Sequence, residues 1–233
     1  MAAPTSTPTS ADRTSHDTRW WGFGLYVAAS VVHVAAMVFG LDALVYPTKL
    51  LLMPALTLAA LVALGIRARS RVGALLLLAI AFSWLGDGAG IFFPFLDDEL
   101  PAMLACFGLA HLAYIALFLR ALARRPLPRW ALVYVAWWVT MIALLWPHLG
   151  ALAIGVAIYG VVLGGTAASA ARGSRITAAG GAFFLASDTL LALLLFLPGV
   201  SDALTGPWVM LTYTIGQGLL VFGAVRLLTR GER

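Results

Sequence analysis

Two aspartates stand in segments with little other polarity. Asp87 closes Phe82-Ser83-Trp84-Leu85-Gly86-Asp87 and Asp188 closes Phe183-Phe184-Leu185-Ala186-Ser187-Asp188, each within an apolar run long enough to cross a bilayer. An Asp at the centre of a membrane helix costs about 2.5 to 3.5 kcal/mol on insertion scales, and such residues usually face a bundle interior or a wet cavity. A pair of them suits acid chemistry with a stabilising anion. In a low-dielectric cavity, burial and mutual repulsion keep one carboxyl protonated while the other stays ionised. Glycosidases use two carboxylates in this way on an oxocarbenium-like centre. Polar residues in other apolar runs supply neighbours: His111 with Tyr114 three residues on, and Tyr213 with Gln217 four residues on, each pair sharing one helical face. The motif serines Ser83 and Ser187 and the single lysine, Lys49, complete the candidate set. No metal-ligand motif such as His-Glu-x-x-His is present in the sequence, and the chemistry needs no cofactor.

The elements that must position these groups are membrane helices. Of 233 residues, 62% are hydrophobic and only 25 are Asp, Glu, Lys or Arg, far more apolar than a soluble core of this size requires. The runs last about 20 residues without period-2 alternation, which favours helices over a barrel. The fold class is therefore all-α, a polytopic bundle of eight transmembrane helices near 20–39, 47–66, 72–91, 101–119, 130–146, 149–171, 176–197 and 207–228. Residues 1–19 read as a disordered cytoplasmic tail, 20–229 as one membrane domain, and 230–233 as a second tail. The polar lead-in to the first run argues for a retained helix rather than a signal peptide. The single cysteine, Cys106, reads as a packing residue.

Several details carry expectations. His33 reads first as a partnered interface histidine and second as a site residue. Asp42 is expected in a short loop, with Pro47 in the first turn of helix two. Lys49 either snorkels to the interface or serves a lipid phosphate or an aspartate. Helix three is expected to break up at Pro94, and helix eight to follow Asp202 from about Pro207. Tyr159 reads as an interface tyrosine or a cavity hydroxyl, His148 as a loop residue, and Gly155, Gly160, Gly164 and Gly165 as packing positions.

The net charge of +5 does not point to nucleic acid, because the arginines sit at the ends of apolar runs. With eight helices, 14 of the 15 Lys and Arg residues fall on one side, while Asp42, Asp97, Asp98, Glu99 and Asp202 fall on the other. The positive-inside rule then makes both termini cytoplasmic. At about 1.5 Å per residue, Asp87 lies roughly 6 Å and Asp188 roughly 13 Å inside the outward end of its helix, so that the polar groups could share one cavity. The two aspartate segments lie 101 residues apart on helices of the same direction, as a four-plus-four duplication would leave them.

Together these segments resemble the YhhN family, whose eukaryotic members are lysoplasmalogenases. The likeness is carried by Lys49, by Ser83-x-x-Gly86-Asp87, by Phe107-Gly108-x-x-x-His111-x-x-Tyr114, by Ser187-Asp188 and by Tyr213-x-x-x-Gln217. Family members often carry Lys-Pro in helix two, whereas Lys49 is followed by Leu50, with Pro47 and Pro54 nearby. The resemblance implies eight membrane helices and hydrolysis of the vinyl ether bond of lysoplasmalogen to a fatty aldehyde and a glycerophospho-head group. It carries Asp87 and Asp188 over as the catalytic pair. His111 and Tyr114 could then orient water or relay protons. The expected partners are a lysophospholipid substrate and membrane lipids, and the expected place is a bacterial inner membrane. Two other functions compete. An intramembrane aspartyl protease would need glycine where Trp84 stands; a proton-coupled transporter could use the same aspartates as a relay. A purely structural pairing of the aspartates is the third reading.

Overall fold

A computed structural model describes residues 20–230. Among these residues the chain is all-helical, with no strand. We label the longer helices α1 (Trp21–Val38), α2 (Asp42–Leu64), α3 (Arg71–Asp87), α4 (Leu100–Leu117), α5 (Val133–Leu145), α6 (Ala153–Ala170), α7 (Arg175–Phe196) and α8 (Asp202–Arg230). Seven of the described helical segments are long and apolar enough to cross a membrane; α3, at 17 residues, falls just short of that length. Large apolar side chains such as Val31, Ile154 and Ile158 lie exposed on the outer faces, where only a lipid surround would leave them favourable. The fold is that of a multi-pass membrane protein. The tails expected at residues 1–19 and 231–233 lie outside the described residues, while Arg230 is the last residue of α8.

Local chemistry sets the helix ends. Ser70 caps α3 by accepting from the Gly73 N–H at 3.0 Å. Ser174 and Thr177 form a reciprocal capping box at the start of α7. Three starts and stops differ from expectation. Helix two begins at Asp42 rather than Pro47, and helix eight at Asp202 rather than Pro207. In both, an acidic residue in the first turn complements the positive end of the helix dipole, and the proline falls five residues further in. The third run does not continue smoothly to 91: α3 stops at Asp87, Gly88 breaks it, and a short helix, Ala89–Phe92, follows. Asp87 is therefore the last residue of its helix.

The most buried of the candidate spans is α8, which packs against α7, α1 and α2. The second group, α3, α4 and α6, joins it through α2–α3 and α6–α7 contacts. Glycine makes the α7–α8 seam tight. A Cβ on Gly180 would stand 2.6 Å from the Leu220 nitrogen, and one on Gly216 would stand 2.7 Å from the Phe184 nitrogen. These approaches seat the fully buried Phe184 ring at the centre of the bundle. The least buried of the candidate spans contains α5, which lies outside α6 between two short 3₁₀ segments, Arg129–Leu132 and Trp146–His148.

Candidate active site

The polar residues of the bundle gather into two clusters, one around each aspartate. The first joins α3, α4 and α8. Tyr213 donates its hydroxyl proton to Asp87 Oδ2 at 2.7 Å. Gln217, one turn along α8, donates to Ser83 Oγ at 2.8 Å and accepts from the Tyr114 hydroxyl at 2.6 Å. Its amide also reaches Tyr213 Oη at 3.5 Å. Ser83 passes its own proton to the Ala79 carbonyl, so the network is closed. Ser83, Tyr114 and Gln217 are each 0% exposed. In an apolar surround such a network holds only if its members are satisfied, and these are.

The second cluster joins α4, α6 and α7. The Tyr159 hydroxyl donates to Asp188 Oδ2. His111 Nε2 lies 3.7 Å from the same oxygen and 3.3 Å from the tyrosine oxygen. On its other side, His111 Nδ1 meets Thr166 Oγ1 at 3.1 Å, and Thr166 gives its proton to the Val162 carbonyl. That inventory assigns Nδ1–H to His111, with the threonine oxygen accepting. Nε2 then faces Asp188 Oδ2 with no proton of its own in the neutral ring, and the one proton of Tyr159 is already committed to Asp188. The cluster brings an imidazole nitrogen, a phenol and a carboxylate oxygen together.

An aromatic partition separates the clusters. Phe184 stacks edge-on against His111 at 4.7 Å on one side and against Tyr213 at 5.5 Å on the other. Phe107 adds contacts to Phe184 and Tyr213 and lies so close to α3 that a Cβ on Gly86 would come within 2.6 Å of its ring. The Gly86-Asp87 pair thus needs glycine for a packing reason. The two aspartates have no hydrogen-bond partner in common among the described residues.

Asp188 and Phe107 also line a narrow groove between α4, α5, α6 and α7. Its wall is otherwise apolar, with Trp137, Met141, Leu163 and Leu195 among the lining side chains and the hydroxyl of Tyr159 beside Asp188. Asp87 does not line this groove. The single shared cavity expected from helix depth is instead a groove at Asp188 and a buried network at Asp87, with two phenylalanines between.

The remaining candidates fall as follows. Lys49 is half-buried in α2. His111 and Tyr114 are on one helix face as expected but serve different clusters. Ser187 does not join Asp188; it donates to the Val209 carbonyl at 3.0 Å and pins α7 to α8. His33 is wholly buried with Nδ1 against Thr48 Oγ1 at 2.8 Å and Nε2 unpartnered. Sequence reading left Tyr159 undecided and missed Thr166. A tyrosine in mid-helix was the available signal for the first; nothing marks a threonine in an apolar run as a histidine's partner. Among the described residues no three His, Cys, Asp or Glu side chains converge as a metal site.

The model of the YhhN family matches residues 44–224, most of the chain. The chain belongs to the YhhN family. No curated protein and no solved structure matches it. Both aspartates, both tyrosines bonded to them, and the His111–Thr166 and Ser83–Gln217 pairs lie within the YhhN match; His33, on α1, lies outside it.

Proposed function

We propose that this YhhN protein is a membrane hydrolase that cleaves the vinyl ether bond of lysoplasmalogen or a related lysolipid. Water is added across the bond, giving a fatty aldehyde and a glycerophospho-head group that leaves as the alcohol. A carboxyl group first protonates the enol ether carbon distal to oxygen, and the electron pair of the ether oxygen stabilises the resulting cation. Water attacks that cation and passes its extra proton to His111 or the carboxylate left by the acid, and the neutral hemiacetal collapses to aldehyde and alcohol.

The observation that carries this reading is the placement of Asp188. It stands on the wall of an apolar groove suited to a hydrocarbon chain, bonded to the Tyr159 hydroxyl and with His111 Nε2 at 3.7 Å. Asp188 therefore delivers the proton to carbon, and His111 reloads it. Asp87, held by Tyr213 behind the phenylalanine partition, supplies the second carboxylate within electrostatic reach of the cation. Lys49 lies on the Asp87 side and suits the lipid phosphate. Eight membrane crossings with cytoplasmic termini, in a bacterial inner membrane, complete the proposal, α3 serving as the short crossing.

The test is aldehyde release from a lysoplasmalogen by the purified protein and its Asp188→Asn and Asp87→Asn variants. Each substitution keeps side-chain volume and removes a carboxyl, so turnover should fall by at least about a thousandfold while the folded protein persists, a loss in the range of general acid catalysis with its electrostatic support. Near wild-type turnover in either variant sinks the pair.

A further inference from the structure

Six arginines collect where α4 and α6 end and α5 and α7 begin. Arg120 lies in the short π-helical turn Phe118–Leu122 that finishes α4, Arg124 and Arg125 follow in the connection, and Arg129 opens the 3₁₀ segment before α5. Arg172 and Arg175 stand on the turn from α6 into α7. These two connections hold each other. The backbone N–H groups of Arg124 and Arg125 both donate to the Arg172 carbonyl, at 2.8 and 3.1 Å, and the Arg172 side chain returns through Nε to the Arg125 carbonyl at 3.0 Å.

The α6–α7 side of this clasp is stiff. The Gly173 N–H donates to the Ala170 carbonyl at 3.1 Å and the Thr177 hydroxyl donates to the same oxygen at 2.7 Å, while the capping box fixes Ser174. Arg172 is therefore a positioned, half-buried guanidinium whose Nε is engaged and whose two terminal nitrogens have no partner among the described residues. Arg124 and Arg125 beside it are exposed, and among the described residues none of the six arginines is in an ion pair. Asp97, Asp98 and Glu99 precede α4 and so stand at the opposite end of that helix. Backbone hydrogen bonds thus hold like charges together with no counter-charge from the described chain, which concentrates a positive field at one spot.

The preference of arginine for one side of a membrane accounts for which end of the bundle these residues occupy, but not for a clasp that fixes one guanidinium among the others. We propose that the clasped α4–α5 and α6–α7 connections bind the head group of an anionic phospholipid, its phosphate taken by Arg172 with Arg124 and Arg125 beside it. A guanidinium presents parallel donors that match phosphate oxygens. The occupant is a lipid rather than free phosphate because the same α4–α5 region leaves Leu127, Trp130 and Leu132 more than half exposed, with the Trp130 ring edge-on to Tyr134 at 5.9 Å. An indole among apolar side chains, next to arginines at the end of lipid-facing helices, is the pattern of a membrane–water interface. The site is separate from Asp188 and does not depend on the reaction assigned to it.

In the test, phosphatidylglycerol and phosphatidylcholine are titrated separately into the full-length protein in an uncharged detergent, and the lipid-bound fraction is read by native mass spectrometry. Phosphatidylglycerol should bind saturably and more tightly than phosphatidylcholine. Each arginine lost from the clasp should weaken phosphatidylglycerol about fivefold, the effect of one basic residue near an anionic lipid surface, and leave phosphatidylcholine unchanged. The variants are Arg172→Gln and, as a guard against damage to the α6–α7 turn, the double variant Arg124→Gln with Arg125→Gln, whose side chains are exposed and make no hydrogen bond among the described residues. Arg69→Gln removes the same charge from the α2–α3 connection and should leave binding nearly unchanged. Equal binding of the two lipids, or a loss in Arg69→Gln as large as in the clasp variants, overturns the proposal. Displacement of phosphatidylglycerol by an equal concentration of inorganic phosphate would make the ligand a free phosphate and overturn the lipid assignment.

Discussion

Replacing Gln217 by Leu isolates what the buried network at Asp87 contributes. The variant loses two well-formed hydrogen bonds, from Tyr114 and to Ser83, and one marginal contact to Tyr213. Ser83 and Tyr213 keep acceptors for their own protons, the Ala79 carbonyl and Asp87, so neither donor is stranded. The Tyr114 hydroxyl is stranded, in a place 0% exposed. Hydrogen bonds between membrane helices average only about 0.6 kcal/mol, so two lost bonds cost about 1.2 kcal/mol. A stranded buried donor adds about 1 to 3 kcal/mol. The total is about 2 to 4 kcal/mol for Gln217→Leu. Tyr114→Phe in the same chain removes that donor and should restore about 1 to 2 kcal/mol, a coupling typical of contacting pairs. Unfolding of the two single variants and the double variant in mixed detergent measures the cycle. Strict additivity would refute the reasoning, because it would mean that Tyr114 finds another partner when Gln217 is gone. Aldehyde release in the double variant then shows whether the network shapes chemistry or only holds α4 to α8.

Four further outcomes are expected. Tyr159→Phe removes a hydrogen bond to a carboxylate worth about 1.5 to 3 kcal/mol, so kcat/KM should fall about 10- to 150-fold, and a change under threefold would detach Tyr159 from the reaction. Proton transfer to carbon should be the slow chemical step: single-turnover aldehyde formation should slow in heavy water and fall at alkaline pH as the acid ionises, and absence of both would exclude that step. His33→Leu should change thermal stability by no more than about 1 kcal/mol, since the lost Nδ1–Thr48 bond at 2.8 Å is offset by removal of the unpartnered Nε2 and Thr48 keeps the Leu44 carbonyl as acceptor at 2.6 Å; a larger drop would reveal a partner for Nε2. A reporter fused after Arg233 should behave as cytoplasmic, and activity only outside the cytoplasm would reverse the proposed orientation.

What the sequence made legible was whatever depends on one helix. Asp87 and Asp188 stand out because charge is costly in an apolar run, and Tyr213 with Gln217 because two polar groups share a face. The helix positions follow from apolar length, but their starts do not: Pro47 and Pro207 look like first-turn residues, whereas Asp42 and Asp202 hold those places. What stayed hidden depends on which helices touch. Spacing could not show that Tyr114 turns to Gln217 while His111, one turn before it, turns to Asp188. Nor could it show that Phe107 and Phe184 divide what helix depth alone would merge, since two phenylalanines among so many apolar residues carry no distinguishing mark.

The central position of α8 also bears on how the protein is made. Among the described residues seven of the longer helices precede it from the ribosome, yet the hydroxyl of Tyr26 on α1, the amide-paired Ser83 and Tyr114, and the carboxylate of Asp87 all find partners on it, at Thr214, Gln217 and Tyr213. Until α8 arrives, the hydroxyls of Tyr26 and Tyr114 and the carboxylate of Asp87 lack the partners that α8 supplies, and the glycine seam of α7 is open. A nascent chain halted before α8 would thus present buried polarity to the bilayer, a pattern that membrane chaperones and proteases can read.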